Sequence, residues 1–274
     1  MNSQQAPSTN GNESASSIKG YEVGELTAKA GFTADMILDE HLDIAAAVNS
    51  QDMSRVDMAL RKGMYIKTVP YYLHPVTGQI IVGGRYLFDT YEDAVNYADW
   101  STKEYLVGDP PAHFWDLPIF SNVQRWIWRV AGAHHFSLPE KHGLHRLQRW
   151  TYDGDNVEEE LTNAWPGIRE ASKKRGAGGV WLLYQPDDKL ISIFTVMNKP
   201  DTVTVESIYD AVESLKAQSS LGELLPSSLN AKPIFDRTSP NLAIWLPVSR
   251  AAGGVEQTTP LTPVLPAVTW NKTA

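Results

Sequence analysis

A chain of 274 residues, 42% hydrophobic and 10% aromatic, carries enough apolar side chain to bury a substantial core in one or two domains. Its formal charge of -8 argues against a surface that tracks phosphate backbones, so no nucleic-acid partner is expected. The absence of cysteine removes disulfide frameworks, thiolate nucleophiles and Cys-based zinc sites together, and makes the cytoplasm the expected location.

Residues 1–18 are polar, without the basic start or apolar centre of a secretory signal, and read as a disordered N-terminus. No run approaches the ~18 apolar residues that span a bilayer, so no membrane partner is expected either. An opening strand is placed near Tyr21–Ala28. An amphipathic helix is expected from Thr33, a candidate N-cap, to about Ser50, with Asp35, Asp39, Glu40 and Asp43 on its solvated face. A second short helix should close at Gly63. MYIKTVPYYLH and IIVGGRYLFDT, joined by VTGQ, read as a hairpin, in which Pro70 implies an edge position or a bulge because it cannot donate to a ladder. Asp89 or Thr90 caps the next helix, whose buried stripe is Ala94, Val95 and Ala98; a proline-bearing loop and the strand RWIWRV follow. Then come a strand (HRLQRWTY), a helix closed by Gly176, a hairpin (VWLLYQ and KLISIFTVM), a helix (TVESIYDAVESLKAQ) and a last strand (NLAIWLPV). Residues 251–274 read as an extended Pro/Thr-rich tail.

The chain also repeats itself. Gly63 and Gly176, Ala94 and Ala211, Ile119-Phe120 and Ile234-Phe235, and Trp128 and Trp245 recur at an offset of ~115 residues, far beyond a solenoid period. The expected fold class is therefore α+β: tandem duplicated ferredoxin-like (βαββαβ) repeats, residues 19–140 and 141–250. Each repeat would leave one apolar sheet face bare. Covering both faces predicts an intrachain α+β barrel.

The run Gly83-Gly84-Arg85-Tyr86-Leu87-Phe88-Asp89, followed by YEDAVNYADW and later by PIF ahead of a strand, resembles the dimeric α+β barrel superfamily. The likeness is to its small monooxygenases related to the antibiotic-biosynthesis monooxygenases. It covers roughly half of the first repeat, and the second only weakly, where ISIFTV replaces the glycines. Members of that superfamily include cofactor-independent quinone-forming oxygenases, haem-degrading enzymes, polyketide cyclases, muconolactone isomerases and duplicated chlorite-dismutase-like haem proteins. Fold does not fix chemistry among them.

Polar and aromatic residues concentrate on the strands of the first repeat, which makes it the expected pocket and the second repeat mainly scaffold. His74, at the hairpin end, fits either a surface turn or a catalytic base. Arg85 lies in a buried-looking strand and needs a carboxylate or a bound anion. His134 and His135 are adjacent, so at most one serves a given pocket, and no spacing in the chain matches a metal site. Tyr72, Tyr86, Trp100 and Trp128 would line a cavity suited to a flat ligand. No phosphate loop or nucleophile elbow is present. The resemblance and this composition imply a small-molecule enzyme acting on an aromatic or polyketide-like substrate as a cofactor-independent monooxygenase. His74 or His134 would be the base, and Arg85 the anion stabiliser. Cyclase, isomerase or lyase chemistry, a haem protein with a histidine ligand, and a non-catalytic binding protein stay open as alternatives. No cofactor is expected, haem being the main alternative, and further homo-oligomerisation is left open.

Overall fold

Ala30, Phe32, Ala34, Met36 and Leu38 are all buried, and they alternate with Gly31, Thr33, Asp35 and Ile37. That period of two is a strand with both faces covered, and it sets the architecture of the N-terminal half. The computed structural model describes residues 23–41, 57, 61–74, 76–108, 110–137, 143–197 and 205–245. In chain order its elements are β1 (Gly24–Glu25), β2 (Ala30–Leu38), β3 (Met64–Leu73), β4 (Ile80–Phe88), α1 (Tyr91–Lys103), β5 (Leu106–Val107), β6 (Ala112–His113) and β7 (Phe120–His135). They continue with β8 (Leu144–Thr151), α2 (Val157–Lys174), β9 (Gly179–Gln185), β10 (Leu190–Met197), α3 (Val205–Ala217) and β11 (Lys232–Trp245).

Two expectations are corrected here. The helix expected from Thr33 begins instead as strand β2, and its remainder, 42–50, lies outside the described residues. The opening strand is β2 and not Tyr21–Ala28, where only the two-residue β1 pairs with the end of β7. The short helix before Gly63 also falls outside the described residues, apart from Asp57, Arg61 and Lys62. Gly63 and Gly176 both take left-handed backbone, φ +70° and +77°, which glycine adopts at little cost where a chain turns into a strand.

The main strands lie in the order β7-β2-β4-β3-β11-β8-β10-β9, and β9 pairs back onto β7, so the antiparallel sheet closes on itself as a barrel. Within 120–135 of β7, β2 takes the first stretch and β9 the last. Three buried layers result. One packs α1 on the sheet through Phe32, Tyr86, Phe88, Tyr97 and Trp115. Another packs α2 through Leu161, Trp165 and Ile168 against Val180, Leu182 and Ile193. The third fills the barrel and includes Tyr65, Leu87, Trp128, Trp181, Leu183 and Phe194.

Pro70 is not on an edge, since β3 pairs with both β4 and β11. The β3–β4 ladder is interrupted between Thr68–Arg85 and Tyr71–Val82, where Pro70 has no N–H to offer Gly83. The bulge appears on the partner strand, whose register shifts between Asn241 and Ala243. β11 itself starts at Lys232, well ahead of the expected Asn241.

Candidate functional site: the seam between β3 and β11

A second proline opens the barrel. Pro240 pairs with Leu144 of β8, and because it has no N–H of its own, the donor it lacks is the one that would face β3. Pairing of β3 with β11 accordingly runs from Lys67–Trp245 to Pro70–Asn241 and stops there. Beyond that point Tyr71, Tyr72 and Leu73 separate from Asp236, Arg237, Thr238 and Ser239, and the gap is a groove of about 620 Å³. Its far rim is held by Arg146, which donates to both carboxylate oxygens of Asp236 at 2.8 and 2.7 Å and to the carbonyls of Leu215 and Gln218.

Strand alternation places Phe235, Arg237 and Ser239 of β11 on the barrel side, opposite Arg149, Leu147 and His145 of β8. Arg149 reaches across to Asp35 of β2, 3.0 Å from Oδ2, while Arg85 of β4 donates to Oδ1 at 2.5 Å. All three side chains are at least nine-tenths buried: Asp35 is 5% exposed, Arg85 1% and Arg149 4%. Arg85 also donates to the Ala34 and Gly84 carbonyls. The Arg149 guanidinium lies between the rings of Trp126, 4.3 Å away, and Phe235, 5.2 Å away. Burial opposes ionisation of Asp35, but Arg85 and Arg149 outweigh it and hold the carboxyl below the usual range. Tyr72, which lines the groove and sits 6.1 Å edge-on to Phe235, is kept a neutral phenol by burial first and by Asp35 second. Two guanidiniums thus face one carboxylate. Arg85 Nε, Arg149 Nε and Thr68 Oγ1 are buried without a hydrogen-bond partner among the described residues. The cluster therefore carries surplus positive charge and unused donors.

The residues singled out in the sequence fall into separate places. Tyr72 and Arg85 meet at the cluster. Trp128 shares the barrel interior, donating to Thr33 Oγ1 at 2.8 Å. Tyr86 and Trp100 belong to the helix layer: Tyr86 is bonded to the Tyr97 hydroxyl at 3.0 Å, and Trp100 lies 3.9 Å beneath the Arg61 guanidinium beside a second groove of about 350 Å³. His74 closes its own turn, Nδ1 accepting from the Thr77 N–H at 3.1 Å. His134 pairs with Glu25 at 2.9 Å on the α2 side, where Trp165 Nε1 binds the same carboxylate. Asp35, Arg149, His145 and Ser239 were missed. HRLQRWTY held the signal for two of them, because His145 and Arg149 sit at inward positions of an otherwise buried strand.

Neither groove has a histidine in its lining that could ligate the haem raised by the resemblance. Among the described residues no helix is long and apolar enough to cross a membrane.

No family model and no curated protein sequence matches the chain. Solved structures do. An anthrone oxidase-like protein superposes over 84% of this chain and 95% of its own, with a TM-score of 0.50 at 10% identity. The likeness is one of fold, an antiparallel sheet closed as an α+β barrel. A candidate monooxygenase from Fusobacterium nucleatum covers 80% of this chain and 94% of its own, with a TM-score of 0.48 at 8% identity. Chlorite dismutase from Candidatus Nitrospira defluvii covers 78% and 91%, with a TM-score of 0.38 at 9% identity. At such identities the likeness shows the fold and not the chemistry.

Proposed function

We propose that the protein is a small-molecule enzyme that draws a flat, ionisable aromatic or polyketide-like substrate into the β3–β11 seam and oxygenates it without a cofactor. The observation that carries this reading is the buried Asp35–Arg85–Arg149 cluster behind Tyr72, which has one positive charge more than it balances. Such a site stabilises an electron-rich anion in a desolvated setting, and that anion is the species that reacts directly with oxygen. Tyr71 and Tyr72 supply the aromatic wall of the groove, with Phe235 packed edge-on behind Tyr72. The overall change is R₂CH₂ + O₂ → R₂C=O + H₂O. The anthrone oxidase-like neighbour makes 1,8-dihydroxyanthrone a reasonable first probe.

The tandem duplication belongs to the same proposal. Strands β2, β3, β4 and β7 lie in the order fourth-first-third-second, and β8, β9, β10 and β11 repeat it. That is the order of a ferredoxin-like sheet.

The test is oxygen uptake with 1,8-dihydroxyanthrone, one O₂ consumed per quinone formed. Arg149→Gln should lower kcat by about 10²-fold, the usual loss for one anion-stabilising donor. Turnover without oxygen uptake would replace oxygenation by cyclisation, isomerisation or lyase chemistry in the same seam. No turnover and no binding would remove the reading.

A further inference from the structure

In an antiparallel ladder successive residues turn their N–H and C=O toward opposite neighbours, so register tells where each backbone group points. His74 donates to the Gln79 carbonyl at 2.8 Å, which turns the backbones of His74 and Tyr72 toward β4 and that of Leu73 toward β11. Pro70 has no N–H, so its pairing with Asn241 runs through the neighbouring residues, the Tyr71 N–H meeting the Pro240 carbonyl. Pro240 therefore faces β3, and by alternation so do the backbones of Thr238 and Asp236.

Beyond that last bridge the N–H and C=O of Leu73, Thr238 and Asp236 have no ladder partner among the described residues. The gap is lined from both faces of β11, by Arg237 and Ser239 on the barrel side and by Asp236 and Thr238 on the other. It thus passes between two strands and leaves a free strand edge on either side. An extended chain fits such a slot, because it alone hydrogen-bonds to both edges. The charge of the lining says which chain. Asp236 balances Arg146, and Glu213 lies 2.7 Å from Lys216. Arg237 makes no ion pair among the described residues, and its guanidinium stands 6.0 Å from the Phe235 ring. Beside it are Tyr71, Tyr72 and Leu73, the last 62% exposed.

We propose that the seam accepts a strand from another protein, an extended segment carrying an acidic side chain between apolar ones. Its main chain pairs with Leu73, Thr238 and Asp236, its carboxylate meets Arg237, and its apolar side chains cover Tyr72. A strand seated there excludes the small substrate proposed above, but the inference does not depend on that reading.

The experiment is fluorescence polarisation of the full chain with a fluorescein-labelled, end-capped peptide, Ser-Val-Thr-Glu-Thr-Val-Ser, whose valines and glutamate share one face. Binding should saturate. Replacing the glutamate by glutamine should weaken it about 10-fold or more, and Arg237→Gln should abolish that preference. N-methylation of alternate peptide amides should weaken binding about 10-fold, since it removes ladder donors and keeps every side chain. Thr238→Pro should do the same with the unfolding midpoint unchanged, because the N–H it deletes faces the seam and not β8. If that variant fails to fold, the N-methylated peptides decide. Absence of saturable binding, or binding indifferent to N-methylation, would overturn the proposal. So would free glutarate displacing the peptide at equal concentration, which would make the seam a simple anion site. A dimer on size-exclusion chromatography that peptide does not dissolve, but Thr238→Pro does, would give the slot to a second copy of this chain instead. Binding is read without substrate, so its failure leaves the catalytic reading standing, and absence of turnover leaves this one standing.

Discussion

Asp35 holds two buried guanidiniums in place with one carboxylate, and its removal leaves both without their counter-ion. Asp35→Ala should cost about 3–5 kcal/mol in denaturant unfolding, the range for breaking a buried pair from one side. The pH dependence has a definite sign. Because the folded carboxyl titrates below its unfolded value, the contribution is complete above about pH 4 and is lost as pH falls through the folded value. Acid titration of the wild type should show a destabilisation that an Asp35→Asn variant lacks. A sequence reader sees Asp35 among acidic neighbours and assigns it to solvent. Only the register that sets Thr33 and Asp35 against Arg85 and Gly83 of β4 turns it inward.

At the scale of elements, one close approach and one missing donor decide the geometry. A Cβ at Gly132, where β7 shifts register against β9, would overlap the Trp165 indole of α2. Gly132→Ala should therefore lift α2 and lower stability by about 1–3 kcal/mol, visible as a lower denaturant midpoint. At the fork, Pro240→Ala restores a donor on the β3 side of β11. The gained hydrogen bond and the freer unfolded chain should nearly cancel, leaving stability within about 1 kcal/mol. Ligand affinity should fall as the seam zips shut, and fluorescence titration reads that directly. The second half was largely legible in the sequence, because its helices end at marked glycines or charged turns and its hairpin turns on Pro186-Asp187-Asp188. β2 was not. Its alternate positions are Ala, Met and Leu, good helix formers, and the period of two that marks them as a strand is outweighed locally by that propensity. Pro70 was read correctly as a disturbance, but its effect is divided between the two strands flanking it.

For the molecule as a whole, closure of the sheet makes the two halves interdependent, since β7–β9 and β3–β11 both join them. Unfolding should be a single transition by fluorescence and circular dichroism, and residues 141–245 made alone should self-associate on size-exclusion chromatography through the exposed edges of β9 and β11. Burial holds Tyr72, Tyr86, Tyr97, Tyr105 and Tyr184 neutral well beyond the ordinary phenol range. Their stabilising effect is complete below about pH 10 and is lost above it, so the share of tyrosinate absorbance due to these five should rise together with alkaline unfolding and not before it. The barrel could be anticipated from the recurring element order, whereas its opening could not, because it depends on which side of one strand a missing N–H falls. That opening also makes the two junctions of the barrel unlike. The barrel has two places where its halves meet; one is laced together from Arg129 to His135, and the other is split beyond Pro70. Two identical subunits related by a twofold axis would have to open both or neither. A covalently joined pair is free of that symmetry, and one junction can specialise as an entrance while its counterpart remains a weld.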